Sequence, residues 1–281
     1  MAHTEFGTVE NGKVIFDRVS ESGAKEGIQH ACEISEKFGA RVCFAAMPEV
    51  LASAKLELLD AKKAGHEIGM HLHADDAILV ERGITSGKER GLALLSPDVQ
   101  KKSISFGAKI FNRELGFLPK IFVSGKWSEN DATRDALNEH GFTHDCSPFP
   151  GMRGLFCDWR NLGRFAAPYR YGRMVMVPVS ETITGSVVSP ETHGGLGVLN
   201  AAFEEYAIQN FPLFHIALHT PSMTDPRMRE TFSQLLSFAY CAGADFSIPS
   251  EIHPSRAKGK SNIIPYIKYA KGAFINKVLG I

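Results

Sequence analysis

Short apolar runs that alternate with amphipathic stretches constrain this chain more than any other feature. Lys13–Phe16 (KVIF) reads as a strand ending at Asp17. Ile28, Ala31, Ile34 and Phe38 then recur at helical spacing up to Gly39. The run 41–47 (RVCFAAM) is the next strand. A helix over 48–64 follows, with Lys62 and Lys63 in its last turn and Gly65 just past its end. A third strand is expected at 67–71. Pro97–Leu115 reads as a helix and 120–123 as a strand. Ser128 with Asp131 makes a capping pair for a helix that ends near Gly141. Further strands are expected at 143–147, 174–179, 211–219 and 244–248, with a helix over 227–243. Residues 148–173 and the Gly-rich run 194–197 read as loops.

Strands and helices in this alternation predict a parallel sheet with helical crossovers. Seven or so strands in one array predict an α/β barrel, whose chemistry sits at the C-terminal strand ends. Residues 1–253 form that unit, and 254–281 form a separate tail.

Charge sharpens the division. The chain has 281 residues with 31 basic and 31 acidic side chains, so its formal net charge is zero. That excludes a nucleic-acid binder working through overall charge. The tail holds Arg256, Lys258, Lys260, Lys268, Lys271 and Lys277 and no acidic residue, so residues 1–253 carry a net −6. Ile263, Ile264, Ile267, Phe274, Ile275 and Val278 lie among those lysines. An amphipathic helix built from them would pack on the barrel or make a peripheral membrane contact. No apolar stretch approaches the ~20 residues of a membrane span, and no leader pattern opens the chain. Five dispersed cysteines fit reduced thiols, so a cytoplasmic protein is expected. Nothing in the sequence sets the oligomeric state.

The strand-end rule selects Asp17, residues 71–76, residues 124–127, Asp145 and His219. His71, His73 and Asp75 are spaced by two, which puts them on one side of an extended segment. Imidazole and carboxylate together are a usual ligand set for a catalytic divalent ion. Ordinary structural roles compete at each position. Asp17 suits a helix cap, His219 a buried histidine bonded to backbone, Trp127 core packing, and Asp145 an acceptor for loop amides. His215 reads as a buried histidine satisfied by backbone, and His66 as a helix-terminus histidine.

Together these segments resemble the polysaccharide deacetylase family (the chitooligosaccharide deacetylase homology domain). The resemblance rests on GHEIGMH at 65–71, supported by VIFDR at 14–18, the FVSGKW…ALNEHGFTHDCS block over 122–147, a mid-chain PVS strand end and LHTPSM at 218–223. It covers roughly residues 13–250. It implies a distorted (β/α)7 barrel and metal-assisted hydrolysis of an N- or O-acyl group on a sugar. By position Asp17 matches the general base, His71 the first metal histidine and His219 the general acid. The resemblance further implies a divalent metal, zinc, and an acylated sugar or glycan substrate, here an intracellular precursor of surface polysaccharide. Arg18, Lys126, Trp127 and Asp145 are then expected against substrate. The loops 148–173 and 182–196 would shape the cleft, with Trp127, Trp159 and Tyr169 available to stack on sugar rings.

Three positions depart from the family pattern. Arg18 stands where a second, metal-binding aspartate is usual, Asp75 where the second histidine ligand is usual, and Val123 where an arginine is usual. One reading keeps the metal on a rearranged set of Asp17, His71, and His73 or Asp75. Another puts the Arg18 guanidinium in the metal's place, paired with Asp17 and Asp75. That leaves a metal-free amide hydrolase or an inactive sugar-binding relative. A metallo-dependent amidohydrolase is a further reading, but its H-x-H pair follows the first barrel strand, whereas His71 and His73 follow the third.

Overall fold

Most of the apolar runs become strands of one sheet, but the first of them does not. The computed structural model describes residues 1–16, 20–150 and 162–254. The chain opens with β1 (Ala2–Thr4), then a hairpin of β2 (Gly7–Glu10) and β3 (Lys13–Phe16), then α1 (Ser22–Glu36). Next come β4 (Cys43–Ala46), α2 (Lys55–Lys63), β5 (Glu67–Leu72), α3 (Ala77–Glu81) and α4 (Pro97–Leu115). After these lie β6 (Ile121–Ser124), α5 (Asp131–Glu139), β7 (His144–Asp145), β8 (Tyr169–Tyr171) and β9 (Met174–Met176). The last elements are α6 (Gly195–Ile208), β10 (Leu218–His219) and α7 (Pro226–Cys241).

Seven strands run parallel in the order β10-β1-β4-β5-β6-β7-β9, and β8 adds antiparallel at the β9 edge. This is the strand and helix count of a distorted (β/α)7 barrel. The ladder does not close by strand pairing among the described residues. Backbone beyond β9 reaches backbone before β10 instead: Ser180 N–H donates to His215 O at 3.3 Å, and Ala217 N–H to Val188 O at 2.9 Å.

Alternation along the strands separates two layers. Cys43, Ala45, Ile121, Val123, Cys146, Val175 and Val177 pack as an inner cluster. Phe44, Met70, Phe122 and Leu218 face the other way and pack with Ile28, Leu58 and Phe111 of the helices. Cys32, Cys43, Cys146 and Cys241 are unpaired thiols. No helix among the described residues is long and apolar enough to cross a membrane.

Several expectations are corrected. Lys13–Phe16 is a strand, but it pairs only with β2, through a two-residue turn at Asn11 and Gly12 with φ of 49° and 75°. Two positive φ values at Asn-Gly mark the tight hairpin turn. The first barrel strand is β1, only three residues long. The helix expected over 48–64 is a 3-10 turn at Pro48–Val50 followed by α2. Asn130 caps α5 in place of Ser128, accepting from Thr133 N–H. Residues 244–248 form no strand; Phe246 packs against the core and Ile248 is buried without a ladder. The glycines at 194–197 do not stay a loop, because α6 begins at Gly195. Part of the 148–173 segment is strand β8. Asp17, Arg18, Trp159 and nearly the whole tail fall outside the described residues, so those readings stand as expectations.

Two glycines of α1 fix what packs over the sheet end. A Cβ on Gly27 would lie 2.1 Å from Thr220 O, and one on Gly23 would lie 2.2 Å from Gly7 O. The helix therefore touches both the hairpin and the turn after β10 backbone to backbone.

Candidate active site

The C-terminal ends of β1, β5, β6 and β10 converge on a cavity of about 530 Å³. His3 lies in register with Ala45 and His219, so its side chain shares the inner face. Glu5, two residues on, points the same way. His71 and His73 follow the same rule at the end of β5.

Glu5 sits at the centre and is almost fully buried. Its Oε1 is 3.2 Å from His71 Nε2, 3.9 Å from His219 Nε2 and 4.0 Å from His73 Nε2. Burial alone would raise the Glu5 carboxyl. Contact with His71 and the nearby charge of His219 outweigh it and hold the group at about 2. The site carboxylate is therefore ionised at neutral pH.

His71 Nδ1 donates to Val123 O at 3.1 Å, which turns Nε2 toward Glu5. That atom lies 2.8 Å from His73 Nε2. Burial, then the charge of His71, lowers His73 to about 4, so its imidazole is neutral. Gly125 makes room for this ring, since a Cβ there would fall 2.4 Å from His73 Cγ. Asp76 fixes the loop by accepting from His73 N–H at 3.0 Å.

His219 faces the same centre from the opposite wall. Its Nδ1 donates to Glu191 Oε2 at 2.7 Å, and its backbone N–H to Glu191 Oε1 at 2.7 Å. Burial would lower this imidazole, but the Glu191 charge and hydrogen bond raise it to about 9. His219 thus carries a proton at neutral pH, directed from Nε2 toward Glu5.

The rim is polar and aromatic. Lys126 Nζ lies 3.2 Å from Asp75 Oδ2. Lys126 and Trp127 hold left-handed φ values of 54° and 55°, a strained arrangement for side chains of this size. Trp127 packs 5.3 Å from the His3 ring, and Phe16 of the hairpin 4.9 Å from His219.

His71, His73, Asp75, Lys126, Trp127 and His219 all line this cavity. Two placements are corrected. Asp75 lies at the rim, 3.2 Å from Lys126 Nζ and 3.9 Å from His73 Nδ1, whereas Glu5 is the carboxylate that faces Nε2 of His71 and His73. Asp145 does not line the cavity. Its neighbour Cys146 belongs to the inner cluster, so Asp145 points the other way and accepts from Ser147 N–H at 2.9 Å. Ser147 Oγ in turn accepts from Ser124 N–H at 2.8 Å, which supports the end of β6. His66 is buried rather than capping a helix end; its Nδ1 accepts from Val42 N–H. His215 is a buried histidine whose Nδ1 contacts Pro178 O.

His3, Glu5 and Glu191 are the site residues sequence reasoning missed. The H-x-E spacing of His3 and Glu5 just before Gly7 was a signal for the first pair. Glu191 lies in a loop and carries none.

The donor set fits a divalent ion. Ligand atoms of Glu5, His71 and His73 lie within 4.8 Å of one another. Two imidazole nitrogens beside a buried carboxylate are a usual donor set for such an ion.

No family model matches the chain, and no curated protein matches it in sequence. Solved structures do match in shape. A protein described as a polysaccharide deacetylase from Mycobacterium smegmatis aligns with TM-score 0.54 at 14% identity, over 89% of this chain and 78% of that one. A peptidoglycan N-acetylglucosamine deacetylase in complex with 4-naphthalen-1-yl-N-oxidanyl-benzamide aligns with TM-score 0.53 at 14% identity, over 92% and 89%. Puue allantoinase aligns with TM-score 0.54 at 12% identity, over 85% and 82%. At such identities the likeness establishes architecture alone: the chain has the fold that these deacetylases and the allantoinase share.

Proposed function

We propose that this cavity belongs to a metal-dependent hydrolase that removes an N- or O-acyl group from a carbohydrate. The observation that carries the reading is the convergence of Glu5, His71 and His73 on one point, with His219 held by Glu191 across from them. Glu5, His71 and His73 would hold a divalent ion, zinc by donor type. Such an ion supplies Lewis-acid polarisation of the acyl oxygen and makes water a stronger nucleophile. The His71 to Val123 hydrogen bond orients that imidazole, and Asp76 holds the backbone that carries His73. His219 gives its Nε2 proton to the departing amine or alkoxide, and Glu191 stabilises the charged ring before that transfer. Trp127, Phe16 and the Lys126–Asp75 pair border the entrance, where a sugar ring would lie against aromatic faces.

The substrate class is argued from the shared fold and from an open cavity that sets histidines and carboxylates beside aromatic faces. The four cysteines among the described residues are unpaired, which fits a reducing compartment, so an acylated precursor of surface polysaccharide inside the cell is the substrate of choice. Metal analysis of the purified chain together with release of acetate from N- and O-acetylated sugars tests the reading. About one zinc ion per chain and chelator-sensitive acetate release are expected. Zinc-free protein that stays inactive on these sugars after metal addition would overturn it. Allantoin is the comparison substrate, because an allantoinase shares the fold.

Gly125 offers an independent check on the ligand set. In Gly125→Ala the new methyl group displaces the His73 ring, and ion affinity is expected to fall about 10–100-fold in chelator competition, with the fold unchanged by circular dichroism. Unaltered affinity would remove His73 from the set.

A further inference from the structure

Glu5 is shared by two groups of ligand atoms. One is Glu5 with His71 and His73. The other is Glu5 with ring nitrogens of His3 and His219, also within 4.8 Å of one another. Of this second group, the reaction proposed above uses Glu5 and His219 but leaves His3 without a role. His3 is only 5% exposed, and its Nε2 has no hydrogen-bond partner. A buried ring nitrogen in that condition is costly unless a ligand satisfies it. Its ring centroid lies 4.4 Å from that of His71 and 5.0 Å from that of His219. With Nδ1 of His219 bound to Glu191, Nε2 is the atom left to face Glu5. Two imidazoles and a carboxylate, with water completing the sphere, are an ordinary zinc set.

We propose that His3, Glu5 and His219 form a second, inhibitory divalent-cation site beside the hydrolytic one. The proposal rests on the assignment of the first ion to Glu5, His71 and His73. An ion at the second position bonds His219 Nε2, and the proton that this atom carried leaves to solvent. His219 then has no proton to give the departing amine or alkoxide, so turnover stops while the first ion stays in place. Two cations that share one carboxylate repel each other. The second therefore binds more weakly, and inhibition begins only at metal concentrations above those that fill the first position.

Zinc titration of the full chain by calorimetry, with metal counting and acetate release in parallel, tests this. Wild type should bind two ions in steps at least about tenfold apart in affinity, activity rising with the first and falling with the second. His3→Phe should bind one ion and lose the fall in activity that excess zinc causes in wild type. Should His3→Phe fail to fold, His3→Gln is read in the same titration. Two ions bound alike by wild type and the His3 variant would overturn the ligand assignment. One ion in both would overturn the second site alone, and none in either would overturn the hydrolytic site as well.

Discussion

Glu5→Gln is expected to lower kcat/KM for acyl-group removal by at least about 10³-fold, a loss of roughly 4 kcal/mol in transition-state stabilisation. The change is nearly isosteric, so packing around the side chain survives. What is lost is the single negative charge at the meeting point of four imidazoles, an ionised carboxylate that the fold holds at about 2. A neutral amide cannot balance a divalent ion there, and its N–H₂ end would face ring nitrogens that need an acceptor or a metal. Bound zinc should fall in step with activity. A variant that keeps full zinc content and full rate would remove Glu5 from the centre of the chemistry. Thermal stability at neutral pH should fall, because the fold favours the ionised carboxylate and its loss leaves the surrounding imidazoles without their counter-charge.

The second large effect concerns pH. His219 is held protonated to about 9 by Glu191. Activity that needs this proton should persist through neutral pH and fall as pH rises through about 9. In Glu191→Gln the raising influence is gone and burial, which lowers the group, remains. The alkaline limb should then move at least one pH unit downward, with a smaller rate at pH 8 than at pH 6. A purely structural role for Glu191 would lower the rate at every pH without moving the limb. Stability follows the same sign. The folded value lies above the ordinary histidine value of 6.5, so this contribution is complete below about 6.5 and is lost as pH climbs through about 9. Denaturation midpoints of wild type should therefore decline across that window, and those of Glu191→Gln should decline less.

The helices with strong end signals were legible in the sequence. Pro97 opens α4 and Gly116, at φ 80°, closes it, and both ends fall where the pattern puts them. The first barrel strand was not legible. Ala2–Thr4 has a histidine at its middle and no apolar alternation; it is a strand because β4 and β10 pair with it on both sides. The Asn11-Gly12 turn was readable, and it would have moved Lys13–Phe16 out of the barrel and placed Glu5, rather than Asp17, at the end of the first strand. His71, His73 and His219 were legible because strand ends and a spacing of two are local properties. Glu191 reaches His219 only through the tertiary path of a loop, which no local pattern encodes. Asp145 satisfied the strand-end rule and still failed, because the rule fixes height along a strand and not the face.

The glycine contacts of α1 also bear on how such a protein can be altered. Gly23 and Gly27 leave no space for a methyl group between the helix, the hairpin and the turn after His219, so those three segments tolerate change together or not at all. The hairpin tip at Asn11 is exposed. A library meant to broaden substrate choice should therefore vary the tip and the Phe16 edge, and leave the ridge untouched.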